Sequence, residues 1–339
     1  MAMNTWAANE IGKVNTIGLC HGVQGSAKLI EDSLKIPFNK MKYSCSGINH
    51  MTWYLDLEYK GKKIKKEQLS KSLKKHKKFS RDEKVRIDIL DKFGYFSTES
   101  NGHLSEYLPW YRRTQKDVKE WSSLSNWIHG ETGGYLRVCN EKRNWFVEDY
   151  PKYLKKSGIN LKDYKRSTEH GSYIIEAIET GKKYRGHFNV INKKIISNLD
   201  DDCVIESTGY VDSKGIKMIE GIKLPLQCAS LCSTSINVQR MAVKAAVKGD
   251  IELLKLSVLQ DPLVSSVCSS EEVWQMVDEM LLAQEKWLPQ FKSKINSIKR
   301  NLKKIKNYKY NKSVKGISIK TKKKREKRSV LVEKEAFNL

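Results

Sequence analysis

The sequence predicts a mixed α+β fold, and three observations carry that prediction. Short runs rich in β-branched and aromatic residues recur at 14–20, 51–59, 185–190 and 203–211. Windows with helical periodicity separate them. The last third returns to helix, and no internal repeat interrupts the order.

Taken in order, 14–20 reads as a short buried strand ending in a glycine turn, and 23–34 as the helix that follows it. Residues 51–59 alternate and are rich in strand formers. Helices are expected at 82–93, 116–124, 144–157 and 168–179, then strands at 185–190 and 203–211. Helices close the body at 236–248, 250–258 and 270–287, the last opened by Ser269 and Glu272 at the spacing of a capping box. After Phe291 the texture changes to Lys, Asn, Ser and Ile, without Trp or Phe as far as residue 328. The chain therefore divides into a body, 1–291, and a basic low-complexity tail, 292–339, disordered or helical. Too few apolar anchors offset the ordering entropy of such a tail, so it is expected to be dispensable for folding.

The chain has 339 residues, enough to bury a large core, and 39% of them are hydrophobic. No run of 18 apolar residues occurs, which argues against a membrane span. The opening Met1–Ala8 lacks a secretory pattern. The seven cysteines are scattered, with no CxxC pair, which suits reduced thiols in a cytoplasm. The net charge of +24 resembles a nucleic-acid signal until it is located: 292–339 holds 18 basic and 3 acidic residues, leaving +9 for the rest. A second basic stretch, Lys60–Lys78, has no aromatic residues interleaved as a stacking platform would need, so a solvated surface is favoured over a polyanion site.

Three short stretches concentrate metal- and proton-handling groups beside glycine: Gly18-Leu19-Cys20-His21-Gly22, Gly47-Ile48-Asn49-His50 and Gly102-His103-Leu104-Ser105-Glu106-Tyr107. A thiol and an imidazole from distant positions can hold one divalent ion and leave sites open for substrate oxygens. A buried thiol beside an unrelated histidine is the plainer alternative. Cys228 and Cys232 lack the accompanying His or Cys pair of a zinc site.

The first two stretches, with Trp53, resemble the metal motif of glycoside hydrolase family 4, the NAD- and metal-dependent glycosidases. The block from Phe93-Gly94-Tyr95-Phe96-Ser97-Thr98-Glu99-Ser100 through His103 to Arg113 is the most family-specific. Pro225–Ala229, Asn237–Gln239, Ala245–Asp250 and Asp261–Leu263 look like the family's closing helical portion. The resemblance is nearest to the α-galactosidase and α-glucosidase branch. It implies the family's C-terminal domain, similar to that of lactate and malate dehydrogenases. It also implies Cys20 and His50 as ligands of Mn²⁺ or another divalent metal. His21, placed where the branch has an imidazole, would protonate the leaving oxygen or orient the site. Glu106 or Tyr107 would be the base. Asn49, His103 and Arg112 would contact sugar hydroxyls.

The family's NAD⁺ is held by a Rossmann unit with a Gly-rich turn. No such turn follows a strand here, and Met1–Ala7 resembles the family's Asn-Pro-Met-Ala stretch entered after its Asn and Pro. The resemblance thus implies a member lacking its first domain, acting on an α-glycoside. It would work only with a cofactor domain supplied in trans, and would be inactive alone; a homo-oligomer or that missing domain is the expected partner. A non-catalytic remnant or sugar-binding protein is the alternative, and a nucleic-acid-binding role through the tail is a third.

Overall fold

A bulged hairpin founds the sheet. Strands β1 (Met41–Ile48) and β2 (Met51–Tyr59) pair antiparallel from Met41↔Tyr59 to Ile48↔Met51, with the register shifting between Ser44 and Cys45. Such a bulge bends the strand and raises its twist. The computed structural model describes residues 1–37, 40–122, 129–130, 145–155, 166 and 169–304. The chain reverses between β1 and β2 through Asn49 and His50 alone, so His50 takes a left-handed φ of 65°. At the far end Lys60 and Gly61, both at positive φ, turn the chain into β3 (Lys62–Lys63).

The remaining strands are β4 (Phe96–Ser97), β5 (Tyr184–Ile191), β6 (Val204–Asp212) and β7 (Gly215–Met218). The order is β3-β2-β1-β6-β5, with β4 added on β2 and β7 on β6. Every pairing between these strands is antiparallel.

Helices α1 (Ala2–Ile11), α2 (Gly22–Leu34), α3 (Lys66–Lys75), α4 (Phe79–Asp82) and α5 (Lys84–Phe93) precede α6 (Asn101–Tyr107) and α7 (Gln115–Trp121). Next come α8 (Trp145–Glu148), α9 (Tyr150–Lys155) and α10 (His170–Thr180). The last third holds α11 (Leu226–Lys248), α12 (Ile251–Leu259), α13 (Pro262–Val267), α14 (Ser270–Ala283) and α15 (Lys292–Lys304). One apolar cluster seats Trp6 of α1 and Cys228, Cys232 and Ile236 of α11 with Ile48, Trp53 and Ile205 of the sheet. A second seats Val23, Ala27 and Ile30 of α2 and Leu69 and Leu73 of α3 with Cys45, Tyr54 and Leu57. Among the described residues no helix is long and apolar enough to cross a membrane.

The mixed class is borne out, with local corrections. Residues 14–20 form no strand: Gly18 makes one isolated bridge, and Val14 stays exposed. The helix expected over 82–93 breaks at Glu83. The helix expected over 144–157 is two, with Pro151 in the first turn of the second, where a missing N–H costs nothing. Residues 144, 156–157, 123–124 and 168 of the expected helices, and the tail beyond 304, lie outside the described residues. The capping box forms as read, Ser269 and Glu272 each bonding the other's backbone N–H.

Residues 292–304 form α15, whose Ile295 and Ile298 join Phe291 at helical spacing against Val273, Val277 and Leu281 of α14. Lys299 adds an ion pair to Glu285. The anchors expected to be missing after 291 are therefore present. Ile295 is fully buried, so Ile295→Ala is expected to lower the unfolding free energy by about 2–5 kcal/mol. Urea unfolding checks this. An unchanged midpoint would support the boundary at 291.

Candidate metal and proton-transfer site

Three backbone segments meet at one end of the sheet. The first is pinned beside β5 by the reciprocal bonds of Gly18 and Asn189, 3.0 and 2.9 Å, and delivers Cys20 to the start of α2. A side chain at Gly18 would meet Thr5 Oγ1 at 2.6 Å and Asn189 Cβ at 2.9 Å, so only glycine lets the segment lie this close. The second is the Asn49–His50 turn. The third is β4, whose pairing with Trp53 and Tyr54 of β2 carries the chain to Glu99 and into α6. Glu99 takes a left-handed φ of 72°, so His50 and Glu99 are both held in a conformation that non-glycine residues avoid. Such strain gathers where side-chain direction matters more than local comfort.

The Cys20 thiol, the His50 imidazole and the Glu99 carboxylate offer atoms that all lie within 4.8 Å of one another. Glu99 Oε2 is 3.7 Å from Cys20 Sγ and 3.7 Å from His50 Nε2. His103 closes another side, with Nδ1 3.8 Å from Glu99 Oε1 and its ring centre 5.0 Å from that of His50. Burial, with Glu206 and Glu99 nearby, pushes the Cys20 thiol up to about 12. The Gly22 N–H, 3.4 Å from the sulfur at the N-terminus of α2, and the Asn49 amide act the other way. Burial lowers His50 despite Glu99, so it stays neutral near pH 7. A sulfur, a neutral imidazole and a carboxylate facing one point make a donor set for one divalent ion. The cradle is kept open by Gly22, where an added Cβ would press into the Glu99 carboxylate.

The structure brings some of the expected residues together here. Tyr107 turns toward His50, ring centres 6.3 Å apart, and burial with Glu106 and Glu99 near it raises its phenol to about 12. Glu106 is exposed and lies 3.7 Å from Arg112. Arg112 is buried, donating from Nε to Ser105 Oγ at 2.7 Å and from Nη2 to the Gly130 carbonyl at 3.0 Å. His21 is exposed, 3.6 Å from Glu169, at the cap position of α2. Asn49 is buried, its amide donating to Glu206 at 3.1 Å.

Sequence reasoning did not nominate Glu99, Glu206 or His170. Glu99 lay inside the most distinctive block, but its role depends on a contact 79 residues away. Glu206 sits mid-strand and fully buried, and burial pushes it up to about 7. His170 Nε2 donates to the Cys20 carbonyl at 3.2 Å while Nδ1 accepts from the Tyr184 hydroxyl at 2.6 Å, fixing the thiol's backbone.

The C-terminal domain of family 4 glycosyl hydrolases matches residues 45–264. An alpha-galactosidase of Rhizobium meliloti is 56% identical over 89% of this chain and 62% of its own length. An alpha-galactosidase of Bacillus subtilis is 32% identical over 86% of this chain and 66% of its own. The chain thus spans about two thirds or less of these curated relatives. A 6-phospho-alpha-glucosidase from gut microorganisms, solved with NAD and Mn²⁺, superposes with a TM-score of 0.65 at 14% identity, over 85% of this chain and 66% of that one. A 6-phospho-beta glucosidase of Thermotoga maritima, solved with manganese, NAD⁺ and glucose-6-phosphate, gives 0.58 at 19%, over 85% of this chain and 64% of that one. At such identities these two structures share the fold.

Two outcomes follow from the geometry. Gly22→Ala displaces the end of a flexible carboxylate rather than backbone, so it should leave the melting temperature nearly unchanged while weakening Mn²⁺ binding about 10-fold or more. Equal affinity in the variant would show that the Glu99 position is irrelevant to the ion. The protonated thiol competes with the cation, so binding should strengthen about 10-fold per pH unit between about pH 7 and pH 8 as one proton is released. Titrations in buffers of different ionisation enthalpy measure that proton; a flat profile would remove Cys20 from the ligand set.

Proposed function

The chain belongs to family 4 of the glycosyl hydrolases, and on that footing we propose that it supplies the metal- and proton-handling part of an α-glycosidase, with α-galactosides as the favoured substrates. The observation that carries this reading is the convergence of Cys20, His50 and Glu99 on one point, with His103 and Tyr107 beside it. The two alpha-galactosidases at 56% and 32% identity favour galactose as the glycon.

Cys20 and His50 would hold Mn²⁺ or a similar ion, and Glu99 faces the same point. Such an ion, when bound, polarises sugar oxygens and stabilises negative charge that develops on them. Tyr107 is the better-placed candidate base at the sugar carbon, because it turns into the cluster while Glu106 turns out toward Arg112. A phenol held near 12 keeps its proton at neutral pH, and a nearby +2 charge is the electrostatic influence that would lower it. His21, exposed and paired with Glu169, can deliver a proton to a leaving oxygen. His103, held by Ser100 Oγ at 2.7 Å, is available to orient a hydroxyl. Arg112 would help from behind: with its donors on Ser105 and Gly130, it steadies α6 and the loop after it.

A dinucleotide fold needs a parallel strand–glycine turn–helix unit, and the named strands here pair antiparallel. NAD⁺ would therefore be held by a unit outside the described residues, whether joined to this chain or supplied in trans.

The test assays the chain on nitrophenyl α-galactoside and α-glucoside with NAD⁺ and Mn²⁺ under reducing conditions, alone and mixed with a family 4 nucleotide-binding domain. Release is expected only in the mixture, with the galactoside preferred and activity lost in Cys20→Ser and strongly reduced in Tyr107→Phe. NAD⁺-dependent release by the chain alone, above the Cys20→Ser control, would overturn the division of labour. Full activity of Cys20→Ser in the mixture would overturn the metal reading.

A further inference from the structure

Behind the cluster runs a row of residues across the sheet: Gly47 of β1, Glu206 of β6, Asn189 of β5 and Gly18 of the pinned segment, each paired with the next. The row joins the two ligand-bearing segments, since Gly47 lies three residues before His50 and Gly18 two before Cys20. Its centre is a carboxylate, and Glu206 is 1% exposed. A buried carboxylate is costly unless it is hydrogen-bonded. Asn49 Nδ2 donates to Oε2 at 3.1 Å. Asn189 is tied to Gly18 by both backbone bonds and by an amide contact to its carbonyl at 3.4 Å.

We propose that Glu206 is a positioning residue for the metal ligands, its carboxylate fixing the Asn49 amide and with it the two-residue turn that presents His50. This rests on the metal reading above. An Asn amide has two N–H donors and one carbonyl, and its orientation follows its strongest acceptor. With the carboxylate claiming one N–H, the turn is held in one orientation. If the acceptor were removed the Asn49 amide could rotate, and the backbone that carries His50 would lose that anchor. The carboxylate does not touch the ion's point of convergence itself, so its influence passes through Asn49.

The experiment titrates Mn²⁺ into the whole chain, following the free-ion paramagnetic resonance signal, and records the melting temperature without metal. Glu206→Leu removes the acceptor; Glu206→Gln keeps an oxygen for Asn49 at nearly the same place. Expected is a loss of about 10–100-fold in Mn²⁺ affinity for Glu206→Leu, with Glu206→Gln recovering most of it. A residue needed only for packing would lower the melting temperature and leave the affinity of the folded fraction unchanged. That result, or equal losses in both variants, would overturn the proposal. Should Glu206→Leu fail to fold, Asn49→Ala decides: it is expected to weaken Mn²⁺ about 10-fold or more, and wild-type affinity would overturn the proposal. Failure of the wild-type chain to bind Mn²⁺ at all would instead refute the metal reading, and with it the ground for this inference.

Discussion

The arrangement of the site depends on one buried cation, the guanidinium of Arg86. From α5 it donates to the Ser97 carbonyl from two nitrogens, at 3.2 and 3.0 Å, and to Ser26 Oγ of α2 at 2.7 Å. Its charge is met by Glu83 at 3.1 Å, and its plane lies over the Phe96 ring at 4.3 Å. Ser97 ends β4, two residues before Glu99, and Ser26 lies in the helix that starts beside Cys20. One side chain thus clamps the carboxylate segment to the thiol segment. A planar fork with several fixed donors suits this task in a way an ammonium would not. Removing either charge of such a pair would leave the other buried without compensation, which commonly costs about 3–5 kcal/mol.

The clamp explains why strain is tolerated nearby. The left-handed backbones of His50 and Glu99 each cost something locally. The two-residue turn enforces the first, and the β4 pairing together with Arg86 enforces the second. In return three unlike donors face one point with little freedom to relax. The electrostatics agree with the geometry. Without a cation the thiol is driven toward its protonated form, while the imidazole is kept neutral. A divalent charge would relieve the unfavourable burden on the thiolate, in keeping with the proposed ion site.

Much of this was legible in the sequence, for physical reasons that differ by residue. Cys20 and His50 stood out because each sits beside glycine in a short stretch of unusual chemistry. Gly18 is there because neighbouring atoms leave no room for a side chain, and Gly22 because a Cβ would displace the Glu99 carboxylate. Glu99 was harder, since a carboxylate before a helix looks like an ordinary loop residue until the fold brings it to Cys20. Glu206 gave no local signal: an acid within Val204-Ile205-Glu206-Ser207 reads as a chance polar position on a strand, and only its cross-strand partners reveal its place. The extended segment at 14–20 was misread as a strand because its composition suits one while a single bridge is all the sheet accepts. Charge density around 291 hid the face made by Phe291, Ile295 and Ile298, whose spacing of four and three marks an apolar helix face.

The central claim is that Cys20, His50 and Glu99 form one ion site at the meeting of three segments. X-ray absorption on the Mn²⁺-loaded chain tests it most directly, because sulfur and light-atom scatterers are distinguishable around the metal. A single sulfur scatterer is expected at about 2.3–2.5 Å together with nitrogen and oxygen neighbours, the sulfur shell disappearing in Cys20→Ser. A first shell of oxygen and nitrogen alone, the same in wild type and Cys20→Ser, would contradict it.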